Sequence, residues 1–361
     1  MAEIPPKVQR LIKISRAVIE DCALENGAIV SANTDKPYCP KEAADYRYVW
    51  PRDASFICVA AEYLKLPIQE SFFRWVCERP EDFKQDKLLY SNYSTNGRIA
   101  SMGKQFMADQ MGTLLWAIHY HFKDNIKKAQ RYKELIELLA DGLCKAWNKT
   151  YFLVSTTDIW EESHRRTSIR IENNFTYTLA ACARGLLCAH EIIPNPLWKD
   201  TAMQMISEIN EAYNEKNKYF YRNVGKISDP NIDTSLLGLV YPFRIHESND
   251  EKILNTVNKI GKEVVANGGV HRYQFDYFDS EGSSQEGGGA WPVLNFWMSI
   301  YWSLAKDKEK ALKYYNWVID QSDKFHGYLP EQYFDDFRIS IYPLAWSHAM
   351  FIIATHYLGY L

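Results

Sequence analysis

Apolar residues recur at i, i+3, i+4 and i+7 through most of this chain, and strict two-residue alternation is nearly absent, so the fold has to be built from helices. The spacing predicts twelve of them, over 6–24, 53–65, 69–78, 108–122, 127–145, 174–190, 198–213, 233–240, 249–264, 291–305, 307–321 and 343–358. The breaks between them are of two kinds. Those such as Lys65 to Ile68 and Lys306 to Asp307 have room only for a tight turn between antiparallel helices. Those at 25–51, 80–107, 146–173, 214–231, 265–290 and 322–342 are long and punctuated by Gly, Pro, Asn and Asp among aromatic and charged residues. Six long breaks among twelve helices predict six helical hairpins set in a ring, with the long loops gathered on one face, where a functional site belongs. No Pro-rich, Gly/Ser-rich or like-charge linker divides the 361 residues, which predicts a single all-α domain over residues 1–361.

Charge removes some classes of partner. With 45 acidic against 42 basic residues the net charge is −3, so the chain has no electrostatic footprint for nucleic acid. Its most apolar stretch, Ala349 to Leu361, is interrupted by His356 and is too short for a bilayer, so no membrane partner is expected. Seven scattered cysteines without redox or metal-finger spacing, and an amino terminus rich in charge from Lys7 to Arg16, lead to the expectation of a reduced, cytoplasmic protein. The nine histidines are dispersed, with no His-Glu-x-x-His pattern, and no Gly-x-Ser-x-Gly elbow is present, so neither a metal nor another cofactor is expected. Aromatic residues reach 14%, which suits either the filling of a large helical core or the flat faces of sugar rings.

The long loops hold the candidate chemistry. In the third, Asp158, Ile159 and Trp160 lead into the adjacent carboxylates Glu161 and Glu162. A carboxyl held against an apolar wall and beside a second carboxylate resists ionisation, as a general acid requires, although the same residues also fit an acidic helix start. In the sixth, Pro330 precedes Glu331, and Asp335 and Asp336 follow, which fits a second catalytic carboxylate or a solvated acidic loop. The first runs through Tyr46, Tyr48 and Trp50 to Arg52 and Asp53, a donor fork beside an acceptor, suited to adjacent sugar hydroxyls or to a helix cap with an ion pair. The fifth carries His271, Arg272, Tyr273, Asp276 and Tyr277, then Glu286 and three glycines that lack the spacing and Lys of a phosphate loop.

Taken together, these loops resemble glycoside hydrolase family 15, the glucoamylase-like family, over nearly the whole chain. Asn26 to Ala32 is similar to the family's opening segment, and Tyr48 to Asp53 to its Tyr-x-Trp-x-Arg-Asp signature. Asp158 to Glu162 resembles the acid-bearing loop, Gly268 to Tyr277 the sugar-contacting Arg-Tyr loop, and Ala290 to Trp297 the helix after it. Leu329 to Gln332 and Leu344 to Met350 resemble the base-bearing loop and the helix behind it.

The resemblance implies an (α/α)6 barrel, with Glu161 as general acid and Glu331 as general base. It further implies Tyr48, Trp50, Arg52 and Asp53 around the terminal sugar, with Trp160, Glu162, Arg272 and Trp346 as further ligands or walls. The expected reaction is exo-acting hydrolysis with inversion, releasing β-D-glucose from the non-reducing end of an α-glucan or small α-glucoside, of the glucan 1,4-alpha-glucosidase type. A trehalase-like activity is the nearest rival. A non-catalytic carbohydrate sensor on the same ring is a rival of another class, against which the retention of both Glu161 and Glu331 argues. Gly103 to Gly112 keeps Gln105, Phe106, Asp109 and Gly112 but lacks the Trp that fungal relatives place there, which turns the expectation away from long starch chains. Prokaryotic relatives usually carry a β-sandwich ahead of the ring. Residues 1–25 precede the first motif here, which leads to the expectation of a homo-oligomer covering the face such a domain would dock on.

Overall fold

The computed structural model describes residues 4–100, 103–162, 167–226, 228–276, 288–334 and 340–361. The helices are α1 (Pro6–Cys22), α2 (Pro51–Leu64), α3 (Gln69–Glu78), the single turn α4 (Phe83–Asp86), α5 (Ala108–His121), α6 (Lys133–Ala146), α7 (Thr176–Ile192), α8 (Pro196–Glu211), α9 (Glu251–Glu263), α10 (Pro292–Leu304), α11 (Lys308–Ser322) and α12 (Ala345–Tyr357). A 3₁₀ helix, Thr234–Leu239, stands between α8 and α9. Three antiparallel pairs of two-residue strands lie within the long loops: Asn174–Phe175 with Asn223–Val224, Tyr213–Asn214 with Tyr219–Phe220, and Val265–Ala266 with Gly269–Val270.

Packing closes the elements into two concentric rings. α2 packs on α5, α5 on α7, α7 on the 3₁₀ helix, the 3₁₀ helix on α10, α10 on α12, and α12 again on α2. Outside this inner ring, α1 rests on α12 and α2, α3 on α2, α6 on α5 and α7, α8 on α7, α9 on the 3₁₀ helix, and α11 on α10. Outer and inner helices alternate along the chain, giving the six hairpins of an (α/α)6 barrel. Burial pattern separates the two rings. α2, α5, α7, α10 and α12 are buried nearly all round, whereas α1, α3 and α9 bury one stripe and expose the other.

The axis of the barrel is filled by aromatic rings. Phe56 lies with its centroid 5.4 Å from Trp116, 5.6 Å from Trp346 and 6.1 Å from Trp297. The turns from α2, α7 and α10 to the outer helices that follow them are short: Lys65 after α2 and Lys306 after α10 adopt left-handed backbone, which stops each helix within a residue or two. Every long loop therefore leads from an outer helix to the N-terminus of an inner element, and all six long loops share one end of the barrel.

Two segments differ from expectation. Residues Ile126–Tyr132 form a 3₁₀ helix and α6 begins at Lys133, because that first stretch buries only Ala129 and has little apolar surface to hold it on the ring. The predicted helix at 233–240 is the six-residue 3₁₀ helix, and Pro242 cannot donate the hydrogen bond that would lengthen it. Among the described residues, no helix is long and apolar enough to cross a membrane.

Candidate active site

At the loop end the barrel opens into a cavity of about 400 Å³. Its lining includes Tyr48, Trp50, Arg52, Asp53, Trp160, Glu161, Arg272, Glu331 and Trp346, drawn from loops nearly 300 residues apart in sequence but joined by the ring. Tyr46, Asn92, Trp291, Gln332 and Leu344 complete much of the wall. Glu162 is not among the lining residues. It lies fully buried behind them, where the Tyr273 hydroxyl donates to its Oε1.

The separation of the adjacent glutamates follows from a tight turn. Asp158 accepts from the backbone N–H of Trp160 at its Oδ1 and from that of Glu161 at its carbonyl, both at 3.1 Å. Glu161 is thereby held at φ +62°, a conformation costing roughly 1 kcal/mol or more for a residue with a Cβ and kept where surrounding contacts impose it. Its side chain, 16% exposed, enters the cavity and accepts from Arg52 Nη2 at 2.9 Å, Trp50 Nε1 at 3.1 Å and Ser91 Oγ at 2.5 Å. The Trp160 ring beside it is fixed by its Nε1, which donates to Asp233 at 3.1 Å.

Arg52 is the electrostatic centre of this wall. Besides Glu161 it faces Asp53 at 3.4 Å and Asp109 at 3.3 Å, and its guanidinium stands 5.4 Å from the Trp346 ring centre. Burial works against its charge, but the surrounding Asp109, Asp53 and Glu161 outweigh burial and raise its pKa above the ordinary arginine value. Burial pushes Asp53 up to about 6, against the pull of Arg52 and of Ser31 Oγ, which donates to Asp53 Oδ2 at 2.8 Å. Asp109 is raised in the same direction by burial. Gln110 fixes the geometry: its Oε1 accepts from the Arg52 backbone N–H at 3.0 Å, while its Nε2 donates to the carbonyl of Ser91 at 2.9 Å.

Across the cavity, Arg272 is clamped by both oxygens of Asp276, at 2.6 and 2.9 Å, and stands 5.3 Å from the Trp291 ring and 5.8 Å from Trp160. Glu331 sits in a loop tied to α12. Its backbone N–H donates to Ile341 at 3.0 Å, Ser347 Oγ donates to the Pro330 carbonyl at 2.7 Å, and the Leu329 N–H donates to His348 Nε2 at 3.0 Å. His348 is wholly buried, its Nδ1 lies 2.8 Å from Ser15 Oγ, and burial lowers its pKa to about 3. Since Nε2 accepts, Nδ1 carries the proton and the ring is neutral. Of the glycine run, Gly289 lies against this loop. Its N–H donates to Gln332 Oε1 at 3.1 Å, and a Cβ there would come within 2.8 Å of the Phe334 ring, so the glycine serves close packing of backbone.

Tyr277, Glu286, Asp335 and Asp336 lie outside the described residues. In the sequence Asn92 stands only as the first residue of an Asn-Tyr-Ser triplet and Trp291 only within the stretch Ala290 to Trp297, with no site role given to either. Among the described residues no group of three or more His, Cys, Asp or Glu side chains could hold a metal ion. The arrangement offers carboxylates on two walls, charged forks beside them and aromatic faces around them, which is the equipment to hold a neutral polyhydroxylated ring and exchange protons with it.

Known proteins agree with this chemistry. The chain is 31% identical over 358 residues to an uncharacterized glycosyl hydrolase of Methanocaldococcus jannaschii, a match covering 91% of this chain and 52% of that protein, so the chain spans about half the length of this relative. It is 24% identical over 385 residues to an isomaltose glucohydrolase of Kribbella flavida, covering 96% of this chain and 94% of that one. A solved glycosidase variant in complex with glucose superposes with a TM-score of 0.81 at 23% identity, over 99% of this chain and 100% of that one, a likeness of fold. The profile of glycosyl hydrolases family 15 matches residues 76–356, and with the barrel and its cavity in place the chain belongs to that family.

Proposed function

We propose that this chain is an inverting, exo-acting glycoside hydrolase that releases β-D-glucose from the non-reducing end of short α-glucosides. The observation that carries the reading is the entry of Glu161 and Glu331, from loops 170 residues apart, into one cavity walled by Trp50, Trp160, Trp291 and Trp346. In this mechanism Glu161 protonates the glycosidic oxygen while Glu331 takes a proton from the water that attacks the opposite face of the sugar. Such pairs stand roughly 6.5–9.5 Å apart to leave room for that water. Arg52 and Asp53 supply donor and acceptor to the hydroxyls of the terminal ring, with Tyr48, Trp50 and Trp346 around it. Trp160, beside Glu161, and Arg272 form a further stretch of the wall, and Glu162 acts from behind through Tyr273.

A short substrate is favoured by the cavity's modest volume, by the absence of the Trp that fungal relatives carry in the 103–112 segment, and by the end-to-end match to an isomaltose glucohydrolase. The test is glucose release from maltose, isomaltose, trehalose, maltotriose and starch, with the anomer followed by proton NMR before mutarotation. The reading expects faster turnover of a disaccharide than of starch and β-glucose appearing first. First-formed α-glucose overturns inversion, and no glucose from any substrate overturns the activity.

A further inference from the structure

Asn92 is a polar residue of the cavity wall to which the reaction above gives no task. It is fully buried, it lines the cavity, and neither its Nδ2 nor its Oδ1 has a hydrogen-bond partner among the described residues. Its backbone is fixed on all sides. The Ala100 N–H donates to its carbonyl at 3.1 Å, Tyr93 exchanges two backbone hydrogen bonds with Val49 at 2.7 and 2.9 Å, and Gln110 holds the Ser91 carbonyl. The amide is thus delivered to the wall by a rigid segment rather than by a free loop.

A buried amide whose two N–H donors and two acceptor positions are all unmet is costly, and native proteins retain few of them without a use. The chemistry of the group says what would satisfy it. A primary amide presents N–H donors and a carbonyl acceptor in one plane, so it matches two adjacent hydroxyls, one accepting and one donating. An anion would meet the Asn92 carbonyl oxygen together with the carboxylates of Glu161 and Asp53 in the same cavity, and an apolar group would leave the amide unsatisfied. Ser91, the preceding residue, donates to Glu161 Oε2 at 2.5 Å, so one short segment both braces that carboxylate and contributes Asn92 to the lining of the same cavity.

We propose that Asn92 is a specificity-determining residue whose side-chain amide binds a pair of adjacent hydroxyls of the bound sugar. The proposal rests on reading the cavity as an α-glucoside site. A site built to hydrogen-bond a hydroxyl rejects the analogue that lacks it, because its own polar groups are then left unpaired.

The experiment measures kcat/KM of wild type, Asn92→Leu and Asn92→Ser on the best disaccharide and on its monodeoxy analogues, with circular dichroism melting to select folded variants. Loss of one hydroxyl of the pair should lower wild-type kcat/KM by about 10- to 100-fold, and Asn92→Leu should lower it similarly on the intact sugar. In the variant that deoxy penalty should shrink to about threefold or less, a coupling that general loosening of the site would not produce. Asn92→Ser, smaller and still polar, answers the same question if Asn92→Leu does not fold. Intact-sugar kcat/KM kept within about threefold, or every deoxy penalty unchanged in the variant, overturns the proposal while leaving the hydrolase reading in place. Should wild type release no glucose from any substrate, the hydrolase reading has failed, and Asn92 is judged by the thermal shift that glucose induces. Loss of that shift in Asn92→Leu supports the residue's role, whereas its retention, or its absence from wild type, overturns it.

Discussion

Arg52 Nη2 stands 2.9 Å from Glu161 Oε1, so the first turn of the first inner helix grips the cavity carboxylate directly, across 109 residues of sequence. The position of Glu161 is therefore a matter of the whole ring, because α2 is held in turn by α5 and α12.

The two cavity carboxylates should be separable by the leaving group. Glu161→Gln should lower kcat on a natural disaccharide by about a thousandfold, and recover much of it on glucosyl fluoride, which needs little protonation. Glu331→Gln should stay impaired on both, since water must still be activated. Steady-state kinetics on the two substrates decide it. Full activity of Glu161→Gln on maltose would remove the acid role from this residue.

Acid should loosen the Glu331 loop through His348. Its folded pKa, about 3, lies below the ordinary 6.5, so the unfolded chain binds the extra proton first and stability falls as pH drops from about 6.5 toward 3. The full cost is about 5 kcal/mol, because burial penalises the charged ring, which moreover cannot accept the Leu329 N–H. Denaturant midpoints of wild type and His348→Gln at pH 7 and pH 4.5 should converge or cross on acidification. A constant gap refutes the assignment.

Asp53 should act with the opposite sign. Its folded pKa, about 6, lies above the ordinary 3.8, so it contributes stability at low pH that is lost as pH rises through about 4 to 6. Relative to wild type, Asp53→Asn should gain up to about 3 kcal/mol between pH 4 and pH 7. Urea titrations of both proteins across that range measure it, and a pH-independent difference would show that Asp53 is ionised throughout.

α5 and α7 approach one another through glycines. A Cβ on Gly112 would lie 2.2 Å from the Ala181 carbonyl oxygen, and one on Gly185 would lie 2.5 Å from that of Gly112. Backbone cannot yield as a flexible side chain does, so Gly112→Ala should cost about 3 kcal/mol or more and lower the melting temperature by several degrees. An unchanged melting temperature would contradict this helix contact.

The barrel was legible in the sequence because its two kinds of break are dictated by geometry: a long loop before each inner element, and a turn of a few residues after α2, α7 and α10. The aromatic residues divide between two places, with Phe56, Trp116 and Trp297 on the axis and Trp50, Trp160 and Trp291 lining the cavity. Glu161 and Glu162 could not be told apart by position, since only the left-handed backbone at Glu161 sends one toward the cavity and leaves the other behind the wall. Asn92 was hidden for a simpler reason. Its Asn-Tyr-Ser triplet is a glycosylation-type pattern that says nothing of a cavity, and its burial without partners is a property of three dimensions.

The inner elements all begin at the loop end of the barrel, and in those that are α-helices, α2, α5, α7, α10 and α12, the N-cap residue's own side chain makes no capping bond. Five helix macrodipoles therefore turn their positive ends toward the end of the barrel that holds the cavity, and this field belongs to the backbone, so no change of pH or of arginine removes it. A glycosidic transition state of oxocarbenium character is itself cationic and would be repelled by it. The cluster of Asp53, Asp109, Glu161 and Glu331 is then a counterweight as well as a set of tools. Neutralising any one of them should slow cleavage beyond the loss of its own proton or hydrogen bond, because the barrel's standing positive field would be left partly unopposed.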